Sequence, residues 1–319
     1  MPSSDDAVID PGPQAETAGP VPERIDRALV ADSGTAAEVL HAWWLSEVGD
    51  LVGFEARTRS GEVDALHQAR VRVRALRSVA SVYRTAFDRR ARRGLDGPLA
   101  AYGAVLGAAR DAEVRELALG ELRDDVRQDD PRHDDLVAAL DALCSDARSE
   151  ADSATRRVLT RLDSADHASL MLRLAALVVD APVGSAATDP MEVVARDALG
   201  RAAKRVTDRA VIALRPTATL EQLHALRKAS RRLRYAAEAA GSWAEQLSRA
   251  AEAVQNALGD HRDGVLLAGE LRARADKEKS AAASALEDLA EETDTAARNS
   301  LSGCAELMAA LTAAIADVR

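Results

Sequence analysis

From Thr35 onward, apolar positions recur every three to four residues over long stretches, the period of an amphipathic helix. Breakers interrupt the pattern at Ser60-Gly61, Gly94 to Pro98, Asp129-Asp130-Pro131, Asp180 to Pro190, Pro216 and Gly241-Ser242. The intervals predict helices near residues 35–59, 62–91, 98–127 and 132–164, then a short apolar segment at 166–180. A second set follows near 190–214, 219–240, 243–275 and 281–318. Long helices joined by short turns suggest antiparallel bundles. Residues 1–22 hold five of the ten prolines, with Gly, Asp and Ser, so residues 1–32 read as a disordered leader.

Composition supports the helical reading. Only 8 of the 319 residues are aromatic (Trp 3, Tyr 3, Phe 2), and Ala, Leu, Arg, Asp and Glu dominate. Sheets favour β-branched and aromatic side chains, so the expectation is an all-α protein and not a sandwich or barrel. Cys144 and Cys304 are far apart and follow no metal-ligand spacing. The first residues lack a basic then apolar signal pattern, and no apolar run approaches ~18 residues. A soluble, cytoplasmic protein with no membrane partner is expected.

An internal repeat organises the chain. Residues 66–77 read LHQARVRVRALR and residues 223–234 read LHALRKASRRLR, with Leu, His, three Arg and a second Leu shared in register. Each is followed by a second match, Leu106 to Asp111 (LGAARD) and Leu258 to Asp263 (LGDHRD), at nearly the same spacing. The expectation is a duplicated four-helix bundle, residues 33–165 and 189–319 around a connector at 166–188, with the halves related by a pseudo-two-fold axis.

The shared basic residues sit at 0, +3, +7 and +10 from each histidine. At about 100° per residue they fall within an arc of roughly 80° on one helix face. They are His67, Arg70, Arg74 and Arg77 on the first helix, and His224, Arg227, Arg231 and Arg234 on the second, with Lys228 at the edge. Arg72 and Arg232 point elsewhere and read as solvated. No acidic i,i+4 partner occurs within His67–Phe87 or Gln222–Ala237 to relieve the like-charge repulsion. Residues 67–93 carry a net +8 and residues 224–234 a net +5, in a chain whose total is −10. Such focusing favours a narrow anionic ligand entering a basic cleft over a broad duplex. Arginine forks suit phosphate oxygens. The stripes hold no aromatic platform of the kind single-stranded nucleic acid uses, and Tyr83, Phe87 and Tyr235 lie beyond them. Linear polyphosphate fits better than nucleic acid.

These residues carry a resemblance. The paired H-x-x-R-x-x-x-R-x-L-R helices, the Leu-Gly-x-x-Arg-Asp segments and Arg234-Tyr235-x-x-Glu238 resemble the CHAD family, the conserved-histidine α-helical domain, over about residues 33–318. The resemblance implies two four-helix bundles facing each other across a basic pore that binds inorganic polyphosphate, and targeting to polyphosphate granules. It assigns His67, Arg70, Arg74 and Arg77 to one wall and His224, Arg227, Lys228, Arg231 and Arg234 to the other. Relatives often carry an N-terminal triphosphate tunnel domain with an ExExK-type motif. This sequence shows no such motif, so no catalysis and no cofactor or metal are expected.

Secondary assignments follow from the residues. Arg201, Lys204 and Arg205 form a smaller basic group that extends the second wall. Arg110 and Arg262 join the site, and Asp111 and Asp263 either order a helix join or hold a stripe residue in place. His261 lacks metal-like spacing, His41, His133 and His167 read as surface or packing residues, and Trp43-Trp44 as core or a dimer contact. Adjacent phosphate raises a histidine pKa, so binding is expected to strengthen from pH 8 to 6. An alternative is a phosphohydrolase or a histidine phosphotransfer enzyme acting through His67 or His224. Phosphotransfer normally uses one exposed histidine, and hydrolysis favours metal-holding carboxylates, which the stripes lack. A third reading is a scaffold for an acidic protein.

Overall fold

The computed structural model describes residues 34–179, 183–279 and 281–318; the expected leader, 1–32, lies outside the described residues. Among them the chain forms ten α-helices and no strand. In order these are α1 (Ala36–Arg59), α2 (Ala65–Val82), α3 (Arg89–Asp124), α4 (His133–Leu162), α5 (Ala165–Val179), α6 (Met191–Ala213), α7 (Leu220–Ala240), α8 (Glu245–Ala275), α9 (Ala282–Asn299) and α10 (Cys304–Asp317). The all-α expectation holds. None of the described helices is long and apolar enough to cross a membrane.

The helix count per half differs from the expected four. The segment expected as part of a connector, 166–180, is α5, and the single helix expected over 281–318 is α9 and α10 with a turn at 300–303. Ser302-Gly303 supplies that turn, where Leu301 and Cys304 bend back onto the core. Each half thus carries five helices, and in each the third, α3 or α8, is the longest.

One helix boundary is also displaced. The chain breaks at Tyr83–Asp88, not at Gly94 to Pro98. Asp88 caps α3 by accepting from the Ala91 N–H at 2.7 Å, and Tyr83 and Phe87 are buried in the turn. Pro98 therefore lies inside α3 and cannot donate to the Gly94 carbonyl four residues back. Arg173 of α5 supplies the missing donor, 3.2 Å from that oxygen. The proline is tolerated because a side chain takes over its hydrogen bond.

The two halves are joined at their starts. Thr35 and Pro190 form an isolated antiparallel bridge, the Ala36 N–H donates to the Asp189 oxygen at 2.9 Å, and the Met191 N–H to the Gly34 oxygen at 3.0 Å. Just before that bridge, Gly184 lies against the 85–87 turn. A Cβ there would sit 2.2 Å from the Thr85 carbonyl oxygen, so only glycine fits.

Both hydrophobic cores draw on both halves. The larger packs Leu40, Trp44 and Leu76 of the first half with Leu226, Leu233 and Leu247 of the second. Here α2 lies directly against α7, and the Tyr83 hydroxyl donates to the Ala236 carbonyl at 2.7 Å. The smaller core sits at the far ends of the long hairpins, where Leu119 and Leu140 meet Leu271 and Leu286. Arg115 of α3 closes this end with a fork onto Glu270 of α8 (2.9 and 2.8 Å), and Arg132 reaches Asp288 at 2.7 Å. The halves do not stand as separate bundles: they touch at both ends of α3 and α8.

Candidate functional site

The basic rows of α2 and α7 lie on neighbouring helices, and their middle members converge. Burial and the charges of Arg70, Arg231 and Arg227 push the Arg74 pKa down to about 9. Burial, then Arg227 and Arg70, push Arg231 down to about 10 against a raising effect of Tyr235. Burial likewise lowers Arg70, with Arg227 and Arg262 adding to it and Asp111 opposing. Four guanidinium groups, two from each half, thus share one half-buried cluster. Among the described residues no carboxylate pairs with Arg74, Arg227 or Arg231. The Nε atoms of Arg70, Arg227 and Arg231 are buried without a hydrogen-bond partner. Unpaired, desolvated cations are costly, so the arrangement gains from any anion that enters it.

The second repeated motif explains how these side chains lie. Gly107 and Gly259 are the glycines of LGAARD and LGDHRD. Arg227 lies across Gly259 so closely that an added Cβ would stand 3.1 Å from Nη2 and 3.2 Å from Nε. Arg70 lies over Gly107 more loosely, at 3.8 Å. Each glycine seats the arginine of its own half. Asp111 of the first motif holds Arg70 (2.9 Å) and approaches Arg262 of the other half at 3.8 Å. Asp263 pairs with its neighbour Arg262 at 2.8 Å and with no stripe residue. Both aspartates stand within α3 and α8, not at a helix join.

His67 and His224 flank the cluster in corresponding positions, each with Nδ1 buried and unpartnered. Burial and Arg110, then Arg70 and Arg74, lower the His67 pKa, with Asp64 opposing. Burial and Lys228, then Arg262, Arg227 and Arg231, lower that of His224. Arg110 and Arg262, from the two copies of the second motif, therefore play matching parts.

The last arginine of each row departs from the expected wall. Arg234 is neutralised by Glu238 and Glu252, both at 2.9 Å, and stacks over the Tyr235 ring. Burial opposes its charge, but those carboxylates outweigh burial and raise its pKa. The acidic partner lies one residue beyond the stretch that the sequence reading found free of acids. Arg77 is exposed, 3.8 Å from Asp96. In the smaller basic group, Arg201 pairs with Asp197 and Lys204 with Asp208 (2.8 Å), while Arg205 lines a cavity with Lys228. Arg110 pairs with Glu113 at 3.3 Å.

Other expectations need correction. Arg72, read as solvated, is three-quarters buried between Glu47 and Asp50, each at 3.4 Å. Arg232, read the same way, is exposed and lines the cavity beside Arg205. Tyr235, placed beyond the stripes, is buried and acts electrostatically on both Arg74 and Arg231. Arg209, which also lines that cavity, was not singled out; Arg205 and Arg209 on α6 and Lys228 and Arg232 on α7 are each spaced i,i+4, a signal present in the sequence. The remaining histidines are structural: His41 reaches the Val178 oxygen, His133 the Arg127 oxygen, His167 Glu55, and His261 the Ala297 oxygen. Trp44 is core, packed on Phe87.

Comparison with known proteins places this geometry. The family model described as the CHAD domain matches residues 44–272. Two uncharacterised proteins of Mycobacterium tuberculosis, from strains CDC 1551 and H37Rv, are 32% identical over 238 residues, covering 72% of this chain and 44% of each relative. The chain thus spans less than half the length of these curated relatives. Among solved structures, PptA from Streptomyces chartreusis matches with a TM-score of 0.63 at 18% identity, over 87% of this chain and 98% of that one. The CHAD domain from the plant Ricinus communis matches with a TM-score of 0.56 at 24% identity, over 91% and 93%. At such identities these two structures establish likeness of fold.

Proposed function

The chain belongs to the CHAD-domain family, and from that premise we propose that its arginine cluster binds inorganic polyphosphate without catalysing a reaction, and that this binding places the protein at polyphosphate granules in the cytoplasm. The observation that carries the reading is the meeting of Arg70 and Arg74 with Arg227 and Arg231, half-buried and, but for Arg70, without carboxylate partners. Polyphosphate offers a negative charge at every unit and no base to recognise, which matches a cluster of guanidinium forks. A phosphate strand between α2 and α7 would give the unpartnered Nε atoms acceptors and offset the repulsion among the four guanidinium groups. Asp111 and the two glycines hold the forks; His67 and His224 add charge as the anion arrives.

Titration with tripolyphosphate and long-chain polyphosphate at two salt concentrations tests this. Affinity rises with chain length until the cluster is spanned. By analogy with nucleic-acid strands, log K falls with log salt at a slope of about −3 for four neutralised phosphates. Arg74→Ala with Arg231→Ala removes at least 100-fold of the affinity for the long chain, at about 1.5–3 kcal/mol per charge-assisted contact. Equal affinity for orthophosphate and the long chain, or an unaffected double variant, overturns the reading.

A further inference from the structure

Helix α7 carries two basic faces, and α2 repeats one of them. His224, Arg227 and Arg231 belong to the shared cluster. Further round the same helix, Lys228 and Arg232 face α6, where Arg205 and Arg209 stand one turn apart. These four cations, with His224 and Glu221, line a cavity of about 240 Å³ between the two helices. The volume is many times the ~10–15 Å³ that a single water needs. Small alanines of α6 and α7 and Val82 of α2 line the rest. None of the four cations has a carboxylate at ion-pair distance among the described residues, whereas the adjacent Arg201 and Lys204 both do. Burial, then Arg205, Arg77 and Arg209, lower the Arg232 pKa with Asp96 opposing, so the cavity cations of α6 and α7 act on one another and Arg77 of α2 adds to them.

The first half is built differently at the matching place. The positions of α2 that correspond to Lys228 and Arg232 are Val71 and Ala75. The helix that packs there, α1, contributes Glu47 and Asp50, which hold Arg72. The cavity is therefore a feature of one half and not part of the duplicated pattern.

We infer that this cavity is a second phosphate subsite, into which a polyphosphate strand leaving the arginine cluster continues past His224. The inference rests on the polyphosphate reading above. His224 borders both places: it lines the cavity and it feels Arg227, Arg231 and Arg262 of the cluster. A strand that follows this edge exchanges one group of unpaired cations for the next and leaves the protein over α6. The single carboxylate in the lining, Glu221, leaves a surplus of positive charge. The strand thus has a preferred exit, although the cluster itself is nearly symmetric.

The test compares wild type, Arg209→Ala/Arg232→Ala and Arg74→Ala/Arg231→Ala, titrated with tripolyphosphate and long-chain polyphosphate, with circular dichroism verifying the fold. Arg209 and Arg232 are exposed, so their removal leaves packing intact. The expected result for the cavity variant is unchanged tripolyphosphate affinity, about tenfold weaker long-chain binding, and a salt slope shallower by about 1.4, two contacts' worth. Unchanged long-chain affinity and slope overturn the subsite while leaving the cluster reading intact. Loss of tripolyphosphate binding in the cavity variant alone makes the cavity an independent site for short phosphates, and the continuous strand falls. Wild type that binds neither anion overturns the polyphosphate reading itself, and the subsite with it.

Discussion

Arginines at the two ends of the long α3 and α8 helices stand in opposite circumstances. At the far end, Arg115 is held by Glu270 and Glu150, Arg132 by Asp130 and Asp288, and Arg272 by Asp294, Glu291 and Glu287. Near the α2–α7 contact, Arg74, Arg227 and Arg231 have one another and, among the described residues, no paired acid. Hydrogen bonds to carboxylates raise the pKa of Arg115 and Arg132, whereas burial and like charge lower Arg74 and Arg231. The same side chain fastens the halves together in one region and stores repulsion in the other. On the polyphosphate reading, stability and binding rest with separate ends of the molecule, and substitutions at the two ends should move them in opposite directions.

The largest expected effect is that reversal. Arg74→Met replaces a half-buried, unpaired charge with an apolar chain and should raise ligand-free stability by about 1–3 kcal/mol while weakening polyphosphate binding. Glu270→Gln leaves Arg115 with half its support and should lower stability by about 1–3 kcal/mol with polyphosphate affinity retained. Thermal denaturation beside a binding titration reads both; a destabilised Arg74→Met would break the comparison.

Proton linkage sharpens it. Burial and Arg110, then Arg70 and Arg74, lower the His67 pKa with Asp64 opposing, and burial, then Lys228, Arg262, Arg227 and Arg231, lower that of His224. Both have folded pKa values below the ordinary 6.5, so their neutral forms are favoured. That contribution to stability is present above pH 6.5 and is lost as pH falls from 6.5 through the lowered folded values. A bound phosphate raises these pKa values, so affinity increases as pH falls, and the increase continues below 6.5 because the free values lie lower. Ligand-free stability and polyphosphate affinity should therefore diverge on acidification, with affinity rising several-fold. The double variant His67→Gln/His224→Gln should flatten the affinity profile. A profile unchanged in that variant would remove the histidines from the site.

The smallest effect comes from the paired glycines. Alanine favours a helix over glycine by about 1 kcal/mol. Gly107→Ala meets Arg70 at ordinary contact distance and should stabilise the protein with binding unchanged. Gly259→Ala crowds the Arg227 guanidinium and should weaken binding two- to fivefold. Equal behaviour of the two variants would show that the tighter seat has no bearing on the ligand.

Much of this was legible in the sequence because helical periodicity and an internal repeat are local signals. The stripe angles placed Arg70, Arg74, Arg227 and Arg231 on one face, and the structure brings those four together. The ends of the rows were legible only in part: Arg234 has Glu238 one turn along its own helix, but its second acid, Glu252, stands on another helix, and Arg77 turns toward Asp96. The break assigned to Gly94–Pro98 failed because a tertiary donor, Arg173, repairs the proline's lost bond, which no local pattern reveals. The cations around Arg232 come from other helices, Arg205 and Arg209 from α6 and Arg77 from α2, so its own helix does not reveal them. The glycines of the second motif were visible as a repeat, but their purpose as seats for arginine emerges only where α2 meets α3 and α7 meets α8.

Asp111 already grips Arg70 at 2.9 Å and leans toward Arg262 from the other half at 3.8 Å. An incoming anion meets a tethered rival at the very groups it seeks. On the polyphosphate reading, the net attraction at Arg70 is a difference between two anions, and the grip there is moderated and reversible. A tethered rival also reoccupies its post quickly, because it never diffuses away.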